Sequence, residues 1–415
     1  VERLLAKVNA LRAVPPAPWR GRVRRVLVIL TSSRSGSTVF KDALSRHPDI
    51  AALEGEMEPF LALCGNGFGH DPACASDALG RLRNPDALAD NVFDGLTVAC
   101  PAWAPRAELA ARWCKRMLLQ FPALFAAPAP YAQLRRAVEQ ALDEACHGAA
   151  RPSARAAAQA VLERVFRHSD WRIDYYDGAA GPGKCSPFAE AAKLEEPPFV
   201  QPDPLRRRFT GDDAHTKVLL FKTPSDAYRP GLYQQLFPQA EVRYVHLSRG
   251  FAQSVNGLMD GWLSPTGFFA HDMARAGVRL RIGGYSRRRA FGRRWWKFDL
   301  PPNWPAFTCA RLEEVCLNQW LSCHRAILDS GVRAHRIAFE DFLDDPGGVL
   351  DALGRWLGLA LAPAPGPLPV TMATADPAPC RWHKRAALLM PMARRVAVAR
   401  TMDQLGYRQD AESWR

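Results

Sequence analysis

Residues 26–30, VLVIL, form an apolar run rich in β-branching, which predicts a strand buried on both faces. Residues 31–38, TSSRSGST, are small or polar apart from one arginine, and then Val39, Phe40, Ala43 and Leu44 recur at helical spacing. The pattern predicts strand, tight turn, helix. Further short apolar runs predict strands at 50–53, 218–221, 242–247 and 334–339. Three- and four-residue spacing from about 106 to 167 predicts a set of helices. Residues 62–92, rich in Gly, Asp, Asn and Pro, read as loop, and 168–212 are broken by PGK, EEPPF and QPDP. LRRRF at 205–209 reads as a solvated basic surface. Helices are expected from about Phe251, over LEEVCLNQWLSCHRAILDS, after Glu340-Asp341, and once more in the tail.

The first turn reads either as an ordinary βα turn, for which serines and a glycine suffice, or as a phosphate cradle. Free N–H groups at a helix start point into the turn, and the helix dipole adds positive potential. Against the Walker A pattern, Thr31 replaces the first glycine, Gly36 matches the second, Ser37 replaces the lysine and Thr38 supplies the hydroxyl. The cation sits earlier, at Arg34. A γ-phosphate transferase would be poorly served by that change, whereas a protein gripping the 5′-phosphate end of a nucleotide would lose little. The strands at 218–221 and 242–247 end in Lys222 and Arg249, which suits a parallel α/β sheet with a ligand at its C-terminal edge.

With 415 residues, the chain has room for one large domain with insertions or for two domains. Its net charge of +13 favours anionic partners: nucleic acid, acidic membrane, or small molecules bearing phosphate or sulfate. The ten cysteines include no C-x-x-C pair, so buried thiols and a reducing, cytoplasmic setting are expected. No stretch is long enough to span a membrane, and the N-terminus lacks a secretory pattern. Its Leu4, Leu5, Val8 and Leu11 predict a short amphipathic helix that packs on the body.

Taken together, TSSRSGST at 31–38, HPDI at 47–50, Lys222-Thr223-Pro224, Arg249 closing a strand, FEDFLDDPGGVLDALGRWLGL at 339–359 and LGYR at 405–408 resemble the P-loop sulfotransferases. Those enzymes use 3′-phosphoadenosine 5′-phosphosulfate. The likeness spans about 24–60 and 215–408. It implies an α/β fold: a central parallel sheet with a P-loop-type nucleotide site, helices on both faces and a helical insertion. It organises the chain as an extension at 1–23 and a single domain at 24–410, with insertions near 100–170 (helical) and 279–305 (basic and aromatic). Its motif Arg34, Ser35, Gly36, Ser37 and Thr38 would hold the 5′-phosphosulfate, and Arg249 the 3′-phosphate through charge-assisted bonds. The family's serine partner falls at Gly257, leaving Ser254 and Asn256 as alternatives. Arg381, Lys384 and Arg385 would close over the nucleotide, with Trp382 as a cover.

Sulfuryl transfer resembles phosphoryl transfer in needing positioning, cations on the leaving phosphate and a base for the acceptor hydroxyl. Pro224 stands where many members carry a histidine base. Carbohydrate-type and bacterial members use a glutamate after the first βα unit, which makes Glu56 the first candidate, Glu58 the second and Glu54 the third. Lys222 would stabilise the bridging oxygen. Glu340 reads as structural, pairing with a buried arginine. The expected acceptor is a hydroxyl on a sugar, glycolipid or secondary metabolite, with no metal and no nucleic acid, and peripheral membrane contact as an open option; composition leans toward a bacterial source. The rival readings are a P-loop small-molecule kinase and a nucleic-acid-binding module built on 287–304.

Overall fold

The computed structural model describes residues 2–146, 152–166, 192–196, 200–265, 267–363, 366–375 and 377–414. The expected break at 182–184 lies outside them. Seven strands form the central sheet: β1 Arg25–Thr31, β2 Ile50–Leu53, β3 Leu96–Ala99, β4 Arg206–Arg208, β5 Val218–Lys222, β6 Glu241–Ser248 and β9 Ala334–Ala338. Between β6 and β9, β7 Phe269–Asp272 and β8 Trp295–Lys297 pair as a separate antiparallel ribbon. The sheet order is β4-β3-β2-β5-β1-β6-β9.

Both faces of the sheet are buried, as a parallel α/β sheet requires. In β1, Val26, Val28 and Leu30 enter one apolar cluster while Leu27 and Ile29 enter another. The first cluster is filled by Leu88 and Val92 of the Pro85–Gly95 helix and by Cys323 and Ile327 of the Leu312–Asp329 helix. The second is filled by Phe40 and Leu44 of the Ser37–Ser45 helix and by Leu350, Leu353 and Leu357 of the Pro346–Leu357 helix. Each fully buried aliphatic side chain contributes about 1.5–3 kcal/mol of transfer free energy. The N-terminal helix Glu2–Arg12 packs on the body: Val8 is fully buried, and Arg12 pairs with Asp94 at 3.2 Å.

Strands β2, β5, β1, β6 and β9 run parallel, but β3 and β4 add an antiparallel edge that the pattern did not predict. LRRRF is correspondingly solvated only in part: Leu205 and Arg208 are exposed, while Arg206 and Phe209 are buried. Arg206 in β4 is buried, with its guanidinium donating to Thr97 Oγ1 at 2.7 Å, Thr97 O at 2.8 Å and Ser45 O at 2.7 Å. A fully hydrogen-bonded arginine can close a sheet edge that an unpaired one could not. The stretch 62–92 is also not all loop. Pro85 at the first turn starts the Pro85–Gly95 helix, whose Leu88, Val92 and Phe93 are buried. The single tail helix expected is two, Ala386–Ala393 and Val396–Gln404. The helices at Arg106–Gln120, Pro128–Cys146 and Ala154–Val165 pack through Trp113, Met117, Val138 and Val161 into a cluster of their own.

Candidate active site

Four neighbouring strands deliver their following loops to one edge. Register pairs Ile29 of β1 with Lys222 at the end of β5, Thr31 of β1 with Leu247 of β6, and Ala52 of β2 with Leu220 of β5. The acidic turn after β2, Lys222, the loop after β1 and Arg249 after β6 therefore stand side by side, in that order, one strand spacing of about 4.8 Å apart.

The loop after β1 is folded by its own hydroxyls and by Asp299, just after β8. Ser32 and Ser35 share a hydrogen bond of 2.6 Å. Ser33 donates to Asp299 Oδ1 at 2.8 Å, and Tyr228 donates to Asp299 Oδ2 at 2.7 Å. Arg34 has a positive φ of 68°, a costly conformation for a non-glycine residue. Its guanidinium donates to Met372 O at 2.7 Å and lies 5.0 Å from the centre of the Phe268 ring. Gly36, at φ 76°, stands at the N-cap of the Ser37–Ser45 helix without a side-chain cap. A Cβ there would lie 2.2 Å from the Phe339 ring, so both the backbone angle and the close approach demand glycine. Ser37 and Thr38 occupy the first turn, where backbone N–H groups face an incoming anion.

Arg249 donates to the backbone oxygen of Arg34 at 3.2 Å and rests over the Phe339 ring at 5.5 Å. The loop and the arginine expected to grip opposite ends of a nucleotide thus touch each other. Ser254 lies one turn into the Phe251–Leu263 helix with its hydroxyl on Arg249 O at 3.2 Å. Asn256 points instead to Arg385. Gly257 faces Arg34, where an added Cβ would come within 3.3 Å of Arg34 Cβ; the family's serine would crowd the loop arginine. Arg381, Lys384 and Arg385 converge on one carboxylate, Asp260 of the same helix, at 2.7, 2.8 and 2.8 Å. Three cations on one acid leave a local excess of positive charge beside Arg249. Trp382 does not cover the edge; it is buried, with its ring centre 5.1 Å from that of Trp414. Glu340 is indeed structural but pairs with no arginine side chain among the described residues. It accepts from Gly250 N–H at 2.9 Å and from the Tyr407 hydroxyl at 2.9 Å, tying LGYR to the start of the Phe251–Leu263 helix.

The acidic turn separates its three glutamates sharply. Glu54 turns inward to Arg112 and to the Asp203 N–H at 3.1 Å, and these partners hold its carboxyl below the usual range despite burial. Glu58 accepts from Arg229 at 2.7 Å; burial pushes its carboxyl up to about 7 against the pull of that arginine. Glu56 is the most exposed of the three, at 44% against 32% for Glu58 and 8% for Glu54, and it receives the buried Lys222 ammonium at 2.6 Å. The Met57 N–H donates to Thr223 Oγ1 at 3.1 Å, locking the turn to the end of β5. A base that keeps solvent access beside a strand-end cation can take a proton from an acceptor and hand it on.

Two residues in this geometry escaped the sequence reading. Lys41, fully buried on the Ser37–Ser45 helix, donates to Leu53 O and to Gly55 O at 3.4 Å, staking the acidic turn from below; burial lowers its ammonium to about 8. Asp299 closes the other side, and burial raises its carboxyl to about 6 although Tyr228 and Ser33 donate to it. The one signal for Asp299 was an acid in an otherwise basic stretch. The helical face of Lys41 gave none. Among the described residues no group of three or more His, Cys, Asp or Glu side chains is arranged to hold a metal ion, and no helix is long and apolar enough to cross a membrane.

No protein-family model matches the chain, and no curated protein matches it either. Solved structures do. The sulfotransferase domain from the curacin biosynthetic pathway is 13% identical, with 93% of this chain and 99% of that one covered at a TM-score of 0.38. The sulfotransferase domain from the Synechococcus PCC 7002 olefin synthase is 14% identical over 95% and 98%, at 0.36. Sulfotransferase STF1 from Mycobacterium tuberculosis H37Rv is 12% identical over 96% and 81%, at 0.33. At overlaps this loose, the functional reading is carried by the chain's own residues.

Proposed function

We propose that the chain is a sulfotransferase that moves a sulfuryl group from 3′-phosphoadenosine 5′-phosphosulfate to the hydroxyl of a small-molecule or glycolipid acceptor. The observation that carries this reading is the adjacency of the Gly36 helix start and Arg249, joined by the 3.2 Å bond from Arg249 to Arg34 O. One bisphosphorylated nucleoside would meet an anion site at each end: Ser35 to Thr38 at the 5′ side, Arg249 with Ser254 at the 3′ side. Arg381, Lys384 and Arg385 add positive potential over it.

On the far side of the loop, Glu56 takes the proton of the acceptor hydroxyl. The acceptor oxygen bonds to sulfur as the sulfur–oxygen bond to the 5′-phosphate breaks, and the bisphosphate departs with the electron pair. Lys222 stands at the strand end between base and loop, where its charge offsets that developing on the bridging oxygen. The absence of a Walker lysine at Ser37 argues against γ-phosphate transfer. Unpaired thiols at eight cysteines, among them Cys64, Cys114, Cys316 and Cys323, suit a reducing cytoplasm.

Thermal stabilisation by 3′-phosphoadenosine 5′-phosphate, with none from ATP and Mg²⁺, is the expected result. The reverse preference would return the chain to the kinases, and tight single-stranded DNA binding without nucleotide binding would favour the nucleic-acid module.

A further inference from the structure

The segment between β7 and β8 has chemistry that the proposed transfer does not use. Arg279, Arg287, Arg288, Arg289 and Arg293 line an open cavity of about 410 Å³, together with Ser286 and Ala290. No carboxylate lines it. All five arginines are exposed, and none has an ion-pair partner among the described residues. By contrast Arg294, next in sequence to Arg293, is held by Asp272 at 2.8 Å. Five like charges around one hollow repel one another, and that repulsion persists unless an anion enters.

The platform beneath them is fixed. Leu280, Ile282, Tyr285 and Phe291 are buried. Leu280 N–H bonds Arg293 O at 2.9 Å, Ile282 N–H bonds Ser286 Oγ at 3.0 Å, and the Tyr285 hydroxyl bonds Trp295 O at 2.8 Å. A Cβ on Gly292 would lie 3.0 Å from Tyr285 O and 3.1 Å from Ser286 Cα, so the two arms of the loop are closely apposed. The large exposed apolar side chains among the described residues, Leu205, Leu343, Val370, Met390 and Val396, all lie outside this loop in sequence. Recognition here is ionic, through planar forks that match phosphate and sulfate oxygens, with no apolar anchor for insertion into a bilayer.

We propose that this arginine cavity is a binding site for a multiply charged phosphate or sulfate ester, sharing no residue with the loop at Gly36 or with Arg249. Such an ester comes either free in solution or displayed as a lipid headgroup.

The full chain is titrated at low salt with inositol hexakisphosphate and, separately, with phosphatidylglycerol vesicles, in the wild type and in the R287E/R288E/R289E and R279Q/R293Q variants. Binding of at least one probe is expected, weakening about ten-fold or more between roughly 50 and 250 mM salt. Both variants are expected to lose about ten-fold or more in affinity for that probe. Binding of the free ester alone assigns a soluble ligand; binding of vesicles alone assigns a headgroup. Absence of binding by both probes, or binding untouched in both variants, overturns the site. This inference stands apart from the sulfotransferase reading: 3′-phosphoadenosine 5′-phosphate affinity is followed in parallel, and the variants are expected to leave it unchanged.

Discussion

The Lys222 ammonium stands 2.6 Å from Glu56 Oε1, so a strand-end cation and the exposed carboxylate of the acidic turn form a pair at the sheet edge. Glu56→Gln removes the basic oxygen and keeps the shape. Turnover is expected to fall by about two orders of magnitude or more, with affinity for 3′-phosphoadenosine 5′-phosphate within about two-fold of wild type. Steady-state rates with labelled donor and a nucleotide titration check both halves. Undiminished turnover would pass the role of base to Glu58.

Arg249→Ala deletes a charged hydrogen-bond donor from the proposed 3′-phosphate site. Bisphosphate affinity is expected to drop by more than about ten-fold, while adenosine 5′-phosphate, which lacks the 3′ group, binds wild type and variant alike. Equal losses for both nucleotides in calorimetry would place Arg249 outside the 3′ site.

Gly36→Ala forces a side chain onto a backbone at φ 76° and against the Phe339 ring. Strain and overpacking together are expected to cost about 2 kcal/mol or more, visible as a lower midpoint in urea. An unshifted midpoint would mean that the loop and the ring part easily.

Asp299 gives a pH signature. Its carboxyl rises from 3.8 unfolded to about 6 in the fold, chiefly through burial. The folded state therefore binds the proton more tightly, and this contribution to stability is full below about pH 4 and lost as pH rises through about 6. His246 acts in the opposite sense. Burial lowers its imidazole from 6.5 to about 4, so stability falls as pH drops across that interval. Only a difference isolates the acid: the stability of wild type minus that of Asp299→Asn is expected to decline by roughly 2–3 kcal/mol from pH 4 to pH 6. A flat difference in urea melts would show that Asp299 keeps an ordinary carboxyl.

What the sequence displayed and what it concealed divide along physical lines. β1 and β5 were readable because strands buried on both faces need unbroken apolar runs, and the TSSRSGST turn was readable because its small residues have few other uses. β3 and β4 were not, since strands of four and three residues carry little periodicity and Arg206 looks exposed until its three acceptors are assembled around it. The sequence ranks Glu56, Glu58 and Glu54 as candidates but shows no partner for any of them; Arg112, Lys222 and Arg229, each brought from a distant segment, tell them apart. Asp299 meets Ser33 across 266 positions, a separation no local pattern records.

The aromatic ring of Phe339 packs against Gly36 and has the Arg249 guanidinium 5.5 Å from its centre. In the proposed function this one ring supports both phosphate sites, so a change in the ring itself would be felt at each of them. Trimming it, as in Phe339→Leu, should loosen the hold on either terminus of the nucleoside at once. Mononucleotides phosphorylated at only one end would then each report the same slackening, a thermodynamic linkage written into one side chain that touches neither phosphate.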